Sequence, residues 1–115
     1  MTVHNMKLQP SPFEMIKSGK KTIELRLNDE KRKLIKPGDA IIFTNVTTGE
    51  ELKMTVLKLH LFESFAELYN SLPLLKCGYT EDDVQNADPT DMELYYSREE
   101  QAECGVVGIE LDRLN

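Results

Sequence analysis

The chain has no Trp, only two Cys and two His, and no long apolar run, and each scarcity removes a class of function. Cys77 and Cys104 form neither a CxxC pair nor a cluster with His, so they read as inert free thiols rather than as a disulfide framework or a redox motif. His4 and His60 are isolated, with no HxxxH or HExxH spacing; no metal site and no cofactor is expected. No uncharged apolar stretch approaches the roughly 18 residues of a membrane helix. The opening residues, MTVHNMKLQP, lack an apolar signal core, which makes a cytoplasmic location, with no membrane partner, the expectation. No repeat, low-complexity tract or linker interrupts the 115 residues, so a single domain over 1–115 is expected.

What is present in quantity is charge, and its distribution says more than its total. The net charge of −6 argues against non-specific coating of nucleic acid. Residues 17–36 nevertheless carry eight basic side chains against three acidic ones, a local +5 that leaves −11 for the remainder. Lys31, Arg32, Lys33 and Lys36 form the dense part of this run, able to meet a phosphate backbone while the acidic bulk repels other polyanions.

Punctuation residues divide the chain. Residues 3–8 read as a strand, and Pro10-Ser11-Pro12 precedes a helix from Phe13, capped by Ser11 and closed by Ser18-Gly19. Residues 21–27 read as a second strand, followed by a basic connection with room for one helical turn. Pro37-Gly38-Asp39 has the chemistry of a type II turn, because Pro fixes a negative φ and Gly accepts the positive φ after it. Strands at 40–44 and 51–61 follow. The change of apolar parity between Val56 and Leu57 predicts a bulge. A helix over 62–72 starts near Ser64, Thr80 can cap another, Pro89-Thr90-Asp91 opens a longer helix to about Glu103, and a strand covers 105–111. Strands and helices in this mixed order indicate an α+β domain, a small curved sheet or barrel with helices packed on it.

The segment from Gly19 to Arg26 concentrates the polar chemistry. Alternation along a strand puts Thr22, Glu24 and Arg26 on one face and Ile23, Leu25 and Leu27 on the other. The apolar set can bury, so the polar set lines either water or a cleft. Lys21 and Arg26 supply charged donors, Arg as a planar fork, while Glu24 can hold either cation or accept from the amino edge of a base. Asn28 is next on the same face, and Tyr95, Tyr96 and Ser97 precede the last strand, where an aromatic can stack on a base.

These residues carry a family resemblance. The GxKxxExR spacing of Gly19, Lys21, Glu24 and Arg26, the IKPGD turn, and the YYSREEQAECGVVGIEL end resemble the ASCH domain, of the small single-domain bacterial type, a relative of the PUA fold. The resemblance covers essentially the whole chain. It implies a small mixed or antiparallel β-barrel with helices around it, a cleft beside the motif strand, and binding of single-stranded RNA or a nucleotide by Lys21, Thr22, Glu24, Arg26, Asn28, Tyr95, Tyr96 and Ser97. It also implies an enzymatic alternative, a metal-independent hydrolase of RNA or of a modified nucleoside such as N4-acetylcytidine. In such relatives a motif lysine serves as base for a threonine nucleophile. Lys21 matches the lysine, Glu24 stands in the nucleophile's place, and Thr22 lies two residues away. A third reading, from charge alone, is an interaction module whose acidic segment from Glu63 to Glu103 docks a basic protein.

Overall fold

The computed structural model describes residues 1–113, and the last two residues of the expected domain lie outside them. Five strands, β1 (Val3–Leu8), β2 (Ile23–Leu27), β3 (Ala40–Asn45), β4 (Glu51–Phe62) and β5 (Val106–Arg113), join one sheet in the order β1-β3-β4-β5-β2. β1 runs parallel to β3; the other three pairings are antiparallel. Three short helices, α1 (Pro10–Ser18), α2 (Phe65–Ser71) and α3 (Arg98–Cys104), and four single 3₁₀ segments complete the α+β fold. The sheet curls into a half-barrel that stops at β1 on one side and β2 on the other. The bulge lies where anticipated: the β4–β5 register shifts between Val56 and Lys58.

Local signals account for most boundaries. Gly19 closes α1 with φ 85°, its N–H donating to the Ile16 carbonyl. Gly38 takes φ 92° in the turn before β3, where the Asp39 N–H donates to the Lys36 carbonyl as a type II turn requires. The Ser64 hydroxyl caps α2 by accepting from the Glu67 N–H.

Several expected boundaries move: the helix expected over 62–72 is α2, with Phe62 still in β4, and the one expected after Thr80 is a single 3₁₀ segment over Val84–Asn86. α1 begins at Pro10 rather than Phe13, because a proline is pre-set for the first helical turn; Gln9 is then its cap position and Ser11 makes no cap. β2 begins at Ile23 rather than residue 21. The Lys21 N–H is taken by the Met15 carbonyl and the Thr22 N–H by the Lys76 carbonyl, so the chain enters the sheet late. The single helix expected from Pro89 to Glu103 is two elements, a 3₁₀ segment over Pro89–Leu94 and α3. Ser97 is extended between them and forms a reciprocal capping box with Glu100.

The apolar residues pack on both sides of the sheet. On the concave side Phe13 and Ile16 of α1 meet Ile41, Phe43, Val56 and Ile109. On the other, Phe65 and Leu68 of α2 cover Ile23, Leu25, Leu27 and Val106. Full burial of each such side chain is worth about 1.5–3 kcal/mol. β5 is therefore buried on both faces, and Gly108 permits it: an added Cβ there would lie 2.7 Å from Leu72 Cδ1.

Asp39 knots the open end of the sheet. Its carboxylate accepts from the His4 ring, the Lys36 N–H and the Thr2 N–H, tying the start of β1 to the turn before β3. The His4 hydrogen bond foremost, then the backbone donors, hold its carboxyl down at about 2. A carboxyl lowered on folding contributes stability above its ordinary pKa and loses it as pH falls toward the folded value. The thermal midpoint should therefore drop between about pH 4 and pH 2, and Asp39→Asn should flatten that part of the profile while lowering the midpoint at neutral pH.

Candidate functional site

β2 pairs on one side only, with β5, and its other edge faces the opening toward β1. Ile23, Leu25 and Leu27 join the α2 cluster, so Glu24 and Arg26 project from the opposite face into that seam. There Arg26 bridges the gap. Its Nε donates to Glu24 Oε2 at 2.8 Å and its Nη2 to the Lys7 carbonyl of β1 at 3.0 Å. Lys21 Nζ reaches the other Glu24 oxygen, Oε1, at 2.7 Å. One carboxylate thus holds two cations at the point where the barrel fails to close.

All three groups are largely withdrawn from water; the Glu24 side chain is 4% exposed, Lys21 10% and Arg26 16%. Burial by itself would raise the Glu24 carboxyl, but the Lys21 and Arg26 charges outweigh it and hold it below the ordinary carboxylate range. Burial likewise works against the Arg26 charge, and its pairing with Glu24 more than restores it. The cluster is therefore Glu⁻ between two cations, with a surplus positive charge facing the cleft. Arg26 Nη1 has no hydrogen-bond partner among the described residues.

The seam opens into a cleft of about 580 Å³, within the range of small-ligand sites. Its lining brings Lys7 and Met15 together with Lys21, Glu24 and Arg26, with Tyr69, Tyr79, Asp83 and Asp91, and with Leu94, Tyr95 and Tyr96. Gly78 lets the Lys21 stem pass: with φ 112°, its added Cβ would stand 3.4 Å from Lys21 Cδ.

Of the residues singled out by sequence, Lys21, Glu24, Arg26, Tyr95 and Tyr96 come together here. Tyr95 is 68% exposed, while Tyr96 is half-buried, stacked on Phe65 at 6.0 Å. Thr22, Asn28 and Ser97 do not line the cleft. Thr22 precedes the strand and is held through its backbone by Lys76 and Leu111; the Asn28 N–H donates to the Gly105 carbonyl; Ser97 Oγ is spent on the α3 cap. Lys31, Lys33 and Lys36 are exposed beside the sheet, whereas Arg32 is half-buried against Asp29. Sequence reasoning missed Tyr69, Tyr79 and Asp91. Their spacing gives no local signal, because α2 and two later turns bring them together.

Cys77 also lines the cleft, but burial pushes its thiol up to about 11, which makes it a poor nucleophile. A larger opening, about 830 Å³, lies between α2 and α3. Its charged groups are the carboxylates Glu63, Glu67, Glu93 and Glu103, with Arg98 already paired to Glu93, and Ser64, Thr90 and Gln101 add neutral polar side chains. No buried charged cluster points into it.

Comparison with known proteins accords with this architecture. A model of the ASCH domain matches residues 6–114. The chain belongs to the ASCH domain family. Two solved structures match this ASCH domain end to end: hypothetical protein PH0355, 36% identical over 98% of this chain and 100% of that one, with TM-score 0.80, and PF0455 from Pyrococcus furiosus, 34% identical over 99% of each, with TM-score 0.75. The ASCH protein of Zymomonas mobilis is 15% identical over 96% of this chain and 67% of its own, with TM-score 0.67, a likeness of fold alone. No curated protein gives a significant match. The half-barrel and its helices are thus the PUA-like arrangement of ASCH domains.

Removing the shared anion strands two buried cations in this ASCH domain. Glu24→Gln should cost about 3–5 kcal/mol in chemical denaturation, the range for breaking one side of a buried ion pair. Arg26→Lys, which keeps the charge but loses the fork between Glu24 and the Lys7 carbonyl, should cost less.

Proposed function

We propose that the seam cleft binds a nucleotide of single-stranded RNA. The observation that carries this reading is the buried Lys21–Glu24–Arg26 cluster, two cations on one carboxylate, which lines a nucleotide-sized hollow and carries one surplus positive charge of its own. A surface ion pair would be worth at most about 1 kcal/mol and would need no burial; here three charges are desolvated, a cost that a binding site has reason to bear. Arg26 grips a phosphate or carbonyl oxygen, and Tyr95 offers an exposed ring at the mouth for base stacking. Lys31, Lys33 and Lys36 extend the positive field to neighbouring phosphates.

A hydrolytic role draws less from the geometry. Glu24 stands in the nucleophile's position and the nearby Thr22 does not line the cleft, and a carboxylate held below its ordinary range, as Glu24 is, makes a weak general base for water.

Fluorescence anisotropy with a short labelled single-stranded RNA, read at several salt concentrations, tests the reading. Wild type should bind with a negative log–log salt slope. The triple Lys31→Ala, Lys33→Ala, Lys36→Ala variant should lose about 2 from that slope, at roughly 0.7 per phosphate contact. Tyr95→Ala should cost about 1–3 kcal/mol if its ring stacks a base. Unchanged affinity and slope in both variants would overturn the assignment.

A further inference from the structure

Charge of the opposite sign collects at the groove between α2 and α3. The groove shares no lining residue with the seam cleft, and at about 830 Å³ it is the larger of the two. Small residues keep it open: Ala66 of α2, Ala102 of α3 and Gly105 line it, with Phe62, Pro89 and Cys104 adding apolar surface. α2 spends its large residues, Phe65, Leu68 and Tyr69, on packing with Ile23, Leu25, Leu27 and Val106, and lines the groove with Ala66 and Glu67.

Carboxylates border this apolar surface. Glu63 stands just before α2, Glu67 within it, Glu93 in the 3₁₀ segment over Pro89–Leu94 and Glu103 in α3; four anions less the one cation, Arg98, leave −3. Arg98 pairs with Glu93, while Glu63, Glu67 and Glu103 have no cationic partner among the described residues. Nor do the anions converge, since no group of three acidic, His or Cys side chains among the described residues could hold a metal ion. Anions spread in this way suit several cations carried along one chain. A second observation points to a ligand with N–H donors. Gln101 lines the groove from α3 and is nine-tenths buried. Its amide nitrogen donates to the Tyr96 carbonyl at 3.3 Å, and its amide oxygen has no partner among the described residues. Such an acceptor, at a largely buried position, is costly until water or an incoming donor meets it.

We infer that the α2–α3 groove docks a basic peptide segment of a partner protein. Its lysine or arginine side chains meet Glu63, Glu67 and Glu103, one N–H donates to the Gln101 oxygen, and its smaller residues lie against Phe62 and Pro89. The net negative charge repels RNA from this groove, so the docking site is separate from the seam and does not depend on the nucleotide-binding reading.

Fluorescence anisotropy with a short labelled peptide of alternating lysine and alanine tests the site, with a glutamate–alanine peptide of equal length as control. The lysine peptide should bind saturably and more weakly as salt rises, and the glutamate peptide should not bind. Glu63→Gln combined with Glu103→Gln should weaken the lysine peptide about fivefold, the scale set by two exposed charges. Glu81→Gln combined with Asp82→Asn removes the same charge outside the groove and should leave the affinity nearly unchanged. All four of these side chains are exposed, so both double variants keep the fold. In a nitrogen–proton NMR titration the Gln101 side-chain amide signals should shift together with the backbone amides of Ala66 and Ala102. Failure of the lysine peptide to bind, equal binding of the glutamate peptide, equal losses in the two double variants, or shifts that leave Gln101 unmoved would each overturn the groove as a docking site.

Discussion

A single carboxylate governs the open side of this molecule. Glu24 sits on an edge strand at the gap between β1 and β2, and both of its oxygens are taken, one by Lys21 and one by Arg26. Arg26 in turn spans the gap to the Lys7 carbonyl, doing with one guanidinium what a strand ladder does elsewhere in the sheet. Without Glu24 the two cations would be buried and mutually repelling; without Arg26 the edges would have no link through this cluster. The interaction that completes the half-barrel is therefore the same one that lines its cleft. Stability and the proposed binding draw on one set of atoms.

That coincidence explains where the polar groups of this chain are spent. Elsewhere Phe13 and Ile16 of α1 fill one face of the sheet and Phe65 and Leu68 of α2 cover the other at β2 and β5, while side chains of β1 and β4 such as Val3, Leu57 and Leu61 stay exposed. The seam opens into a cleft lined by Lys21, Glu24 and Arg26. Helices and turns from the second half of the chain supply the remaining lining, which includes Asp83 and Asp91 and no cation. The basic side chains are concentrated in residues 17–36, which include β2 and the segment that follows it, while the rest of the chain is acidic.

Much of this was legible in the sequence because it is local. The strand alternation, the Gly19 helix end, the Pro37-Gly38 turn, the Ser64 cap and the bulge after Val56 each follow from residues within a few positions of one another. So does the pairing of Glu24 with Arg26, two residues apart on one strand face. The meeting of Lys21 with Glu24 is of another kind. Strict alternation would put them on opposite faces, and they converge only because the Met15 and Lys76 carbonyls delay the start of β2 until Ile23. Arg26 on a backbone carbonyl, and Tyr69 with Tyr79 and Asp91, depend on tertiary placement that no spacing encodes. Ser97 is the instructive miss. The S-x-x-E pattern at 97–100 is a helix start visible in the sequence, and it both divides the expected long helix and removes Ser97 from the cleft.

The most direct test of the account is a nitrogen–proton correlation NMR titration of the protein with a short single-stranded RNA, following the Arg26 Nε–Hε signal and the backbone amides together. Shifts should appear first at Arg26 and at the amides of Lys7, Gly78 and Tyr96, and share one saturation curve. Saturable shifts confined to the α2–α3 groove, with Arg26 and its neighbours unmoved, would contradict the seam as the binding site.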